Sequence, residues 1–378
     1  MPLSAVDPSR YPQLLALKCE RVCALLAPYS PPAPTVFPSA ATGFRMRAEF
    51  RVWHDGDALD YVMFRRDDPA TPVLIDDFPI GCERIRELMP VLRAELKRDA
   101  VLRRKLFQVE FLSTLAGDTL VTLVYHRKLQ PDWEVSASRL AARLQVSLVG
   151  RSRKQKIVIG NTFVKELLAV EGRTYCYIQY EQAFTQPNAG VNTAMLTWAC
   201  QRAASVTGDL LELYCGNGNF TLPLARHFDH VIATELAKTS VRAARENLAS
   251  NGIDNVQIIR LSAEEVTQAM NAEREFRRLA ELPRPLPDYD LRTIFVDPPR
   301  AGLDPHTVQM VAGFEAIIYI SCNPHTLAEN LAVLCASHRI EQFALFDQFP
   351  YTDHMECGVF LRRKQVASKL RHSPGYGG

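Results

Sequence analysis

Between residues 45 and 64, apolar and polar side chains alternate with period two through RMRAEFRVW, pause at His54-Asp55-Gly56-Asp57, and alternate again through ALDYVMF. This predicts a β-hairpin turned at Asp-Gly. The arrangement recurs at 106–115 (LFQVEFLSTL), a turn AGD, and 119–126 (TLVTLVYH). Helical spacing appears at 82–98, where Pro90 is a candidate kink, and around 133–145. Residues 155–159 and 174–180 are further short strand candidates. The first 40 residues, proline-rich at 30–38, read as part helix and part extended arm. Residues 1–180 are therefore expected to form an α+β domain with an N-terminal arm.

From about residue 192 the rhythm becomes helix, strand, helix, strand, the signature of a doubly wound α/β sheet. Short apolar runs at 209–214, 230–235, 256–261, 293–297 and 316–321 have the length of buried parallel strands. One-sided helical patterns fall at 220–228 and 238–252, the second stopping at Asn251-Gly252. Residues 343–350 and 355–363 read as two late strands. A Rossmann-like domain over 181–364 is expected, with 365–378 as a mobile tail.

Composition adds a folded, soluble class: 47% hydrophobic and 23% charged residues exclude disorder and fibrous repeats for most of the chain. No apolar run reaches the roughly 18 residues of a membrane span, and the first residues lack the pattern of a secretion signal, so the cytosol is the expected address. The nine scattered cysteines contain no C-x-x-C pair, which argues against a disulfide framework or a zinc site. The net charge of +2 hides an asymmetry. Residues 1–180 carry 26 Lys+Arg against 20 Asp+Glu (+6), whereas residues 181–378 carry 18 against 22 (−4). The first half is suited to an anionic partner such as nucleic acid. Arg45, Arg47 and Arg51 alternate along one predicted strand, and Phe107 follows Arg103-Arg104-Lys105. Cations of this kind hold phosphates while an aromatic ring stacks on an unpaired base.

In an open parallel sheet, ligands bind outside the carboxyl ends of the strands. After the first strand stands Tyr214-Cys215-Gly216-Asn217-Gly218-Asn219-Phe220, a glycine-rich turn into a helix, and the second strand ends in Glu235, an acid able to accept ribose hydroxyls. An adenosine-containing ligand is expected. Thr221 replaces the third glycine of the dinucleotide fingerprint, which favours phosphate-free S-adenosylmethionine over NAD. The fourth strand runs into Asp297-Pro298-Pro299-Arg300, a rigid corner that holds a carboxylate toward a flat ring. The fifth ends at Ser321-Cys322-Asn323-Pro324. In isolation Cys322 reads as a small buried hydrophobe. Beside a cofactor loop it becomes a candidate nucleophile.

Five ordered segments carry a resemblance: Phe184-Thr185-Gln186-Pro187-Asn188, the stretch 213–220, Val296–Arg300, Ile320–Pro324, and Asp347-Gln348-Phe349-Pro350 with His354-Met355-Glu356. Together they resemble the RNA 5-methyluridine methyltransferases, and FRMRAEFRVWHDGD and KLFQVEFLSTL are similar to the tRNA (uracil-5-)-methyltransferase branch. The resemblance implies that Cys322 is the nucleophile and Glu356 the base. It puts S-adenosylmethionine against Gln186, Tyr214, Asn219, Glu235 and Asp297, with Gly216 in the same loop. The implied reaction is methylation of carbon 5 of the T-loop uridine of tRNA, with the T-like loop of tmRNA as a second substrate. Ribosomal relatives often hold an iron–sulfur cluster on four cysteines; Cys19-x-x-x-Cys23 has the wrong spacing, and no cluster is expected. The enolate oxygen formed by thiolate addition needs donors, for which Arg300 and backbone N–H groups near 322–324 are candidates. The partner is then the tRNA T-arm, and nothing in the sequence calls for a membrane or an obligate protein partner. Two other readings stay open: a base methyltransferase acting on another RNA, and an RNA-binding module with a vestigial cofactor fold.

Overall fold

The computed structural model describes residues 6–365 apart from residues 57 and 66; the expected mobile tail lies outside the described residues from 366 onward. The chain begins with α1 (Tyr11–Leu26), whose apolar side carries Val22 and Leu26, and then β1 (Thr35–Phe37). Both fall in the part expected to belong with the basic half. β1 instead pairs in parallel with a strand near the C-terminus, Thr35 opposite Ala344, and the inner face of α1 joins the core of the C-terminal sheet. Period-two alternation reveals a strand but not its pairing partner.

The basic half is built on a seven-stranded sheet. β2 (Arg47–Asp55) and β3 (Ala58–Phe64) form the first expected hairpin, and β4 (Pro72–Leu74) adds an edge. α2 (Glu83–Arg98) buries Ile85, Leu88, Met89, Leu92 and Leu96 on one stripe. Pro90 lies on its exposed side and the helix runs through it. α3 (Ala100–Arg103) leads to the second hairpin, β5 (Leu106–Ser113) and β6 (Thr119–Tyr125). α4 (Pro131–Leu144) crosses over to β7 (Ser147–Ser152), parallel to β6, and β8 (Gln155–Ile159) closes the order β4-β3-β2-β5-β6-β7-β8. β9 (Phe163–Val170) and β10 (Arg173–Tyr180) form a separate two-stranded hairpin.

α5 (Ala189–Ala203) opens the α/β layer and is capped by Asn188, whose side chain accepts the Val191 N–H at 3.1 Å. Then follow β11 (Asp209–Leu213), α6 (Thr221–Leu224), β12 (Val231–Thr234), α7 (Lys238–Ser250), β13 (Val256–Ile259), α8 (Ala263–Met270), β14 (Leu291–Val296), α9 (Pro305–Val311), β15 (Ala316–Ser321), α10 (Pro324–Ser337), β16 (His338–Phe346) and β17 (Glu356–Arg363). The eight-stranded order is β1-β16-β17-β15-β14-β11-β12-β13, parallel except for β17. This is the expected Rossmann-like sheet, with β1 as an extra edge strand. The order reverses beside β11, so the carboxyl ends of β11, β12, β14 and β15 border one crevice. The β9–β10 hairpin docks on α7 through side chains that satisfy its outer edge: Asn251 Oδ1 accepts the Cys176 N–H at 2.9 Å and Asn247 Oδ1 the Ile178 N–H at 2.7 Å.

Candidate active site

At the end of β11 the backbone turns sharply. Tyr214 takes a left-handed φ of 60°, unusual for a side chain of its size, and Gly216 and Gly218 follow at 56° and 85°. A β-carbon built on Gly216 would meet nothing within 4 Å, so that side of the turn is open to a ligand. One on Gly218 would stand 2.8 Å from Leu222 Cδ1, so glycine there serves packing. Glu235, after β12, accepts the Gly216 N–H through Oε2 at 3.2 Å and the Ala237 N–H through Oε1 at 2.7 Å. Each carboxylate oxygen retains a lone pair for a hydroxyl donor. Asn219 and Asn192 exchange two amide hydrogen bonds of 2.9 Å, and the Tyr177 hydroxyl donates to Asn219 O at 2.9 Å, so the loop is braced from α5 and from the β9–β10 hairpin. Gln186 Oε1 accepts from Gln348 Nε2 at 3.0 Å.

Asp297 follows β14 and Cys322 follows β15, while Glu356 begins β17, the strand paired with both β15 and β16. The sheet thus draws together three groups far apart in sequence. Burial pushes the Asp297 carboxyl up to about 7. Burial, reinforced by Asp297, pushes Glu356 up to about 8, with Arg300 opposing. Burial first, then the charges of Glu356 and Asp297, push the Cys322 thiol up to about 11, again with Arg300 opposing. Arg300 is therefore the cation within electrostatic reach of both Cys322 and Glu356. Its backbone carbonyl accepts from Asn323 Nδ2 at 3.0 Å and Thr326 Oγ1 at 3.3 Å, which fixes the proline corner to the start of α10. Cys322 stands one residue before the cap of that helix, Asn323, with Pro324 at its first turn. The positive helix end favours a thiolate there. Of the backbone donors considered at 322–324, Pro324 has none and the Asn323 N–H already donates to Ser321 Oγ at 3.2 Å. The Cys322 N–H and the Arg300 guanidinium are what this stretch offers an enolate oxygen.

Cys322 and Arg300 line a cleft of ≈ 620 Å³ that is also lined by Arg21, Val22 and Leu25 of α1. Sequence reasoning missed α1 entirely as part of the site, because no motif lies on it. Phe184, which opens the segment that carries Gln186, is 76% exposed.

The five candidate RNA contacts fall in different settings. Arg300 is in the cleft. Arg45 precedes β2, is half-buried, and donates from Nε to Arg47 O at 2.9 Å. The Arg47 guanidinium donates to the carbonyls of Ala183, at 2.8 Å, and Glu181, so it tethers the segment that leads to Gln186. Arg51 lies 3.8 Å over the Phe107 ring, and Phe107 stacks on His126 with centroids 3.9 Å apart. Of the three, His126 lines a cleft of ≈ 910 Å³ together with Lys128, Arg153 and Lys154 among others. His126 had no signal in the sequence beyond lying in the predicted strand paired with that of Phe107.

The sequence profile of the family described as tRNA (Uracil-5-)-methyltransferase matches residues 10–364. Relatives named tRNA/tmRNA (uracil-C(5))-methyltransferase include one from Aromatoleum aromaticum, 53% identical over 364 residues, covering 96% of this chain and 98% of the relative. Another, from Azotobacter vinelandii, is 56% identical over 364 residues, covering 96% and 100%. Among solved structures, Pyrococcus abyssi tRNA (uracil-54, C5)-methyltransferase, in complex with S-adenosyl-L-homocysteine, superposes with a TM-score of 0.71 at 21% identity, covering 93% of this chain and 83% of that one. The fold is shared.

Proposed function

Because this chain belongs to the tRNA (uracil-5-)-methyltransferase family, we propose that it methylates carbon 5 of the T-loop uridine of tRNA, and of the equivalent loop of tmRNA, by covalent catalysis from Cys322. The observation that carries the mechanism is the meeting of Cys322, Glu356 and Asp297 at one sheet edge beside the open glycine turn. The residues fit S-adenosylmethionine: Glu235 for the ribose hydroxyls, the Tyr214–Asn219 turn with its unobstructed Gly216, and Gln186 and Asp297 at the flanks. Bound there, it supplies an electrophilic methyl group.

Carbon 5 of uracil is a weak nucleophile. The Cys322 thiolate adds to carbon 6, which turns the ring into an enolate with electron density at carbon 5. Arg300 and the Cys322 N–H stabilise the enolate oxygen and the thiolate. Carbon 5 then takes the methyl group and still carries its proton. Glu356 removes that proton, the electron pair re-forms the carbon 5–carbon 6 double bond, and the sulfur–carbon 6 bond breaks to return the thiolate. The reacting base has to leave its stack to reach the cleft. With Phe107 covered by Arg51 on one face and His126 on the other, the expected stacking of a base on Phe107 passes to the exposed His126 ring, and the neighbouring cations hold the backbone.

The test is transfer of labelled methyl from S-adenosylmethionine to an unmodified tRNA transcript. It is run beside a transcript with the T-loop uridine changed to cytidine, and beside Cys322→Ala protein. Label only with wild-type protein and the uridine transcript is expected. Label on the cytidine transcript would remove the site assignment, and activity in Cys322→Ala would remove the nucleophile.

A further inference from the structure

The cleft wall contributed by α1 is attached to the catalytic residues through one loop. Lys18, 6% exposed, pairs through Nζ with Asp347, 0% exposed, and also donates to Phe349 O at 3.2 Å. One turn further along the same helix, Arg21 donates from Nη1 to Asp353 Oδ1 at 2.9 Å and from Nη2 to Asp353 O at 2.7 Å. The two cations therefore grip both ends of the 347–353 segment between β16 and β17. Inside it, Phe349 O also accepts the Thr352 hydroxyl at 2.8 Å, and Thr352 Oγ1 accepts the His354 N–H at 3.2 Å. The Phe349 ring meets His354 edge-on at 5.8 Å, and His354 Nε2 lies 3.4 Å from Arg300 Nη2. A continuous chain of contacts thus runs from α1 to the cation that faces Cys322 and Glu356.

We propose that α1 is a positioning element of the active site: Lys18 and Arg21 hold the β16–β17 loop so that His354 keeps the Arg300 guanidinium at the reacting groups. This rests on the covalent reading above, in which Arg300 acts beside Cys322 and Glu356. A buried pair is weak evidence for stability, since an apolar pair of similar volume does as well. It fixes a direction instead. An exposed pair such as Arg21–Asp353, with side chains 50% and 92% exposed, contributes little holding strength alone. The buried pair is the anchor and the exposed one orients the far end of the loop.

The experiment measures kcat and both KM values for labelled methyl transfer in full-length Lys18→Met/Asp347→Leu, which removes the buried pair without stranding a charge, alone and combined with Arg300→Ala. The expected result is a kcat lowered about tenfold, with KM for tRNA and for S-adenosylmethionine within about twofold of wild type, and little further loss on the Arg300→Ala background. Unchanged kcat in the folded double variant overturns the proposal, as does an undiminished tenfold loss when Arg300 is already absent. Should the double variant not fold, Arg21→Ala and Asp353→Ala give the same test on the surface: a smaller fall in kcat, non-additive with Arg300→Ala, is expected. A raised KM for tRNA with a shallower salt dependence would instead make Arg21 a phosphate contact and overturn its positioning role. Methyl transfer that survives Cys322→Ala would sink the underlying covalent reading, an outcome separate from either result on α1.

Discussion

At the scale of single residues, the site is governed by carboxyls and a thiol held away from water. In the proposed reaction Glu356 has to be ionised to act as a base, yet burial and Asp297 push it up to about 8. Release of the methylated RNA from a preformed adduct should therefore accelerate as pH rises toward and through about 8, read by quenching after a pH jump. Glu356→Gln should accumulate that adduct at every pH, read as a protein–RNA band that survives denaturing electrophoresis, while Cys322→Ala forms none. Glu212, on β11, is fully buried; burial first, with Asp297 adding and the Thr221 hydroxyl opposing, pushes it up to about 8. The folded state holds this proton more tightly than the unfolded chain does. The associated stability is complete below about pH 4.5 and is lost as pH rises through about 8. Glu212→Gln should accordingly match wild type near pH 4 and exceed it by on the order of 5 kcal/mol above pH 8, measured by denaturant unfolding at both pH values.

At the scale of elements, motif residues often serve the backbone before they serve chemistry. Asn188 and Asn323 cap α5 and α10, and so aim the segments carrying Gln186 and Cys322. Gly218 lets α6 begin against Ala244 of α7. Gly218→Ala combines a left-handed φ with a contact of 2.8 Å to Leu222. It should cost about 1–3 kcal/mol and weaken S-adenosylmethionine binding more than RNA binding, which calorimetry with each ligand separates. In the basic half, β2 divides its arginines between two tasks. Arg51→Ala and Phe107→Ala should raise the KM for tRNA, with Arg51→Ala also flattening its salt dependence. Arg47→Ala should lower the unfolding midpoint, because it strands the carbonyls of residues 181 and 183.

At the scale of the whole molecule, the chain closes on itself. α1 and β1 leave the basic half and pack on the C-terminal sheet, so the catalytic cleft is walled by both ends of the sequence. A protein lacking residues 1–37 should lose methyl transfer even if it still binds tRNA, because Val22, Leu26 and Lys18 leave an apolar face and a buried Asp347 uncovered; circular dichroism and a transfer assay on the same sample distinguish that from simple unfolding. The sequence by itself determined the hairpins at 47–64 and 106–125, the parallel strands and the glycine turn, and it singled out Cys322, Glu356 and the cofactor residues as candidates. Alternation, turn chemistry and ordered motifs are written within a few residues of one another. The β9 strand was legible as well: FVKELLAV alternates between the turn signals Gly160-Asn161 and Glu171-Gly172, which mark its two ends. Only the tertiary structure decided that Lys18 meets Asp347 across 329 positions, that Arg47 is spent on backbone carbonyls, and that His126 completes a stack with Arg51 and Phe107. Such meetings depend on which faces bury against which. A short-range pattern shows that a face is apolar or charged, and packing alone selects its partner.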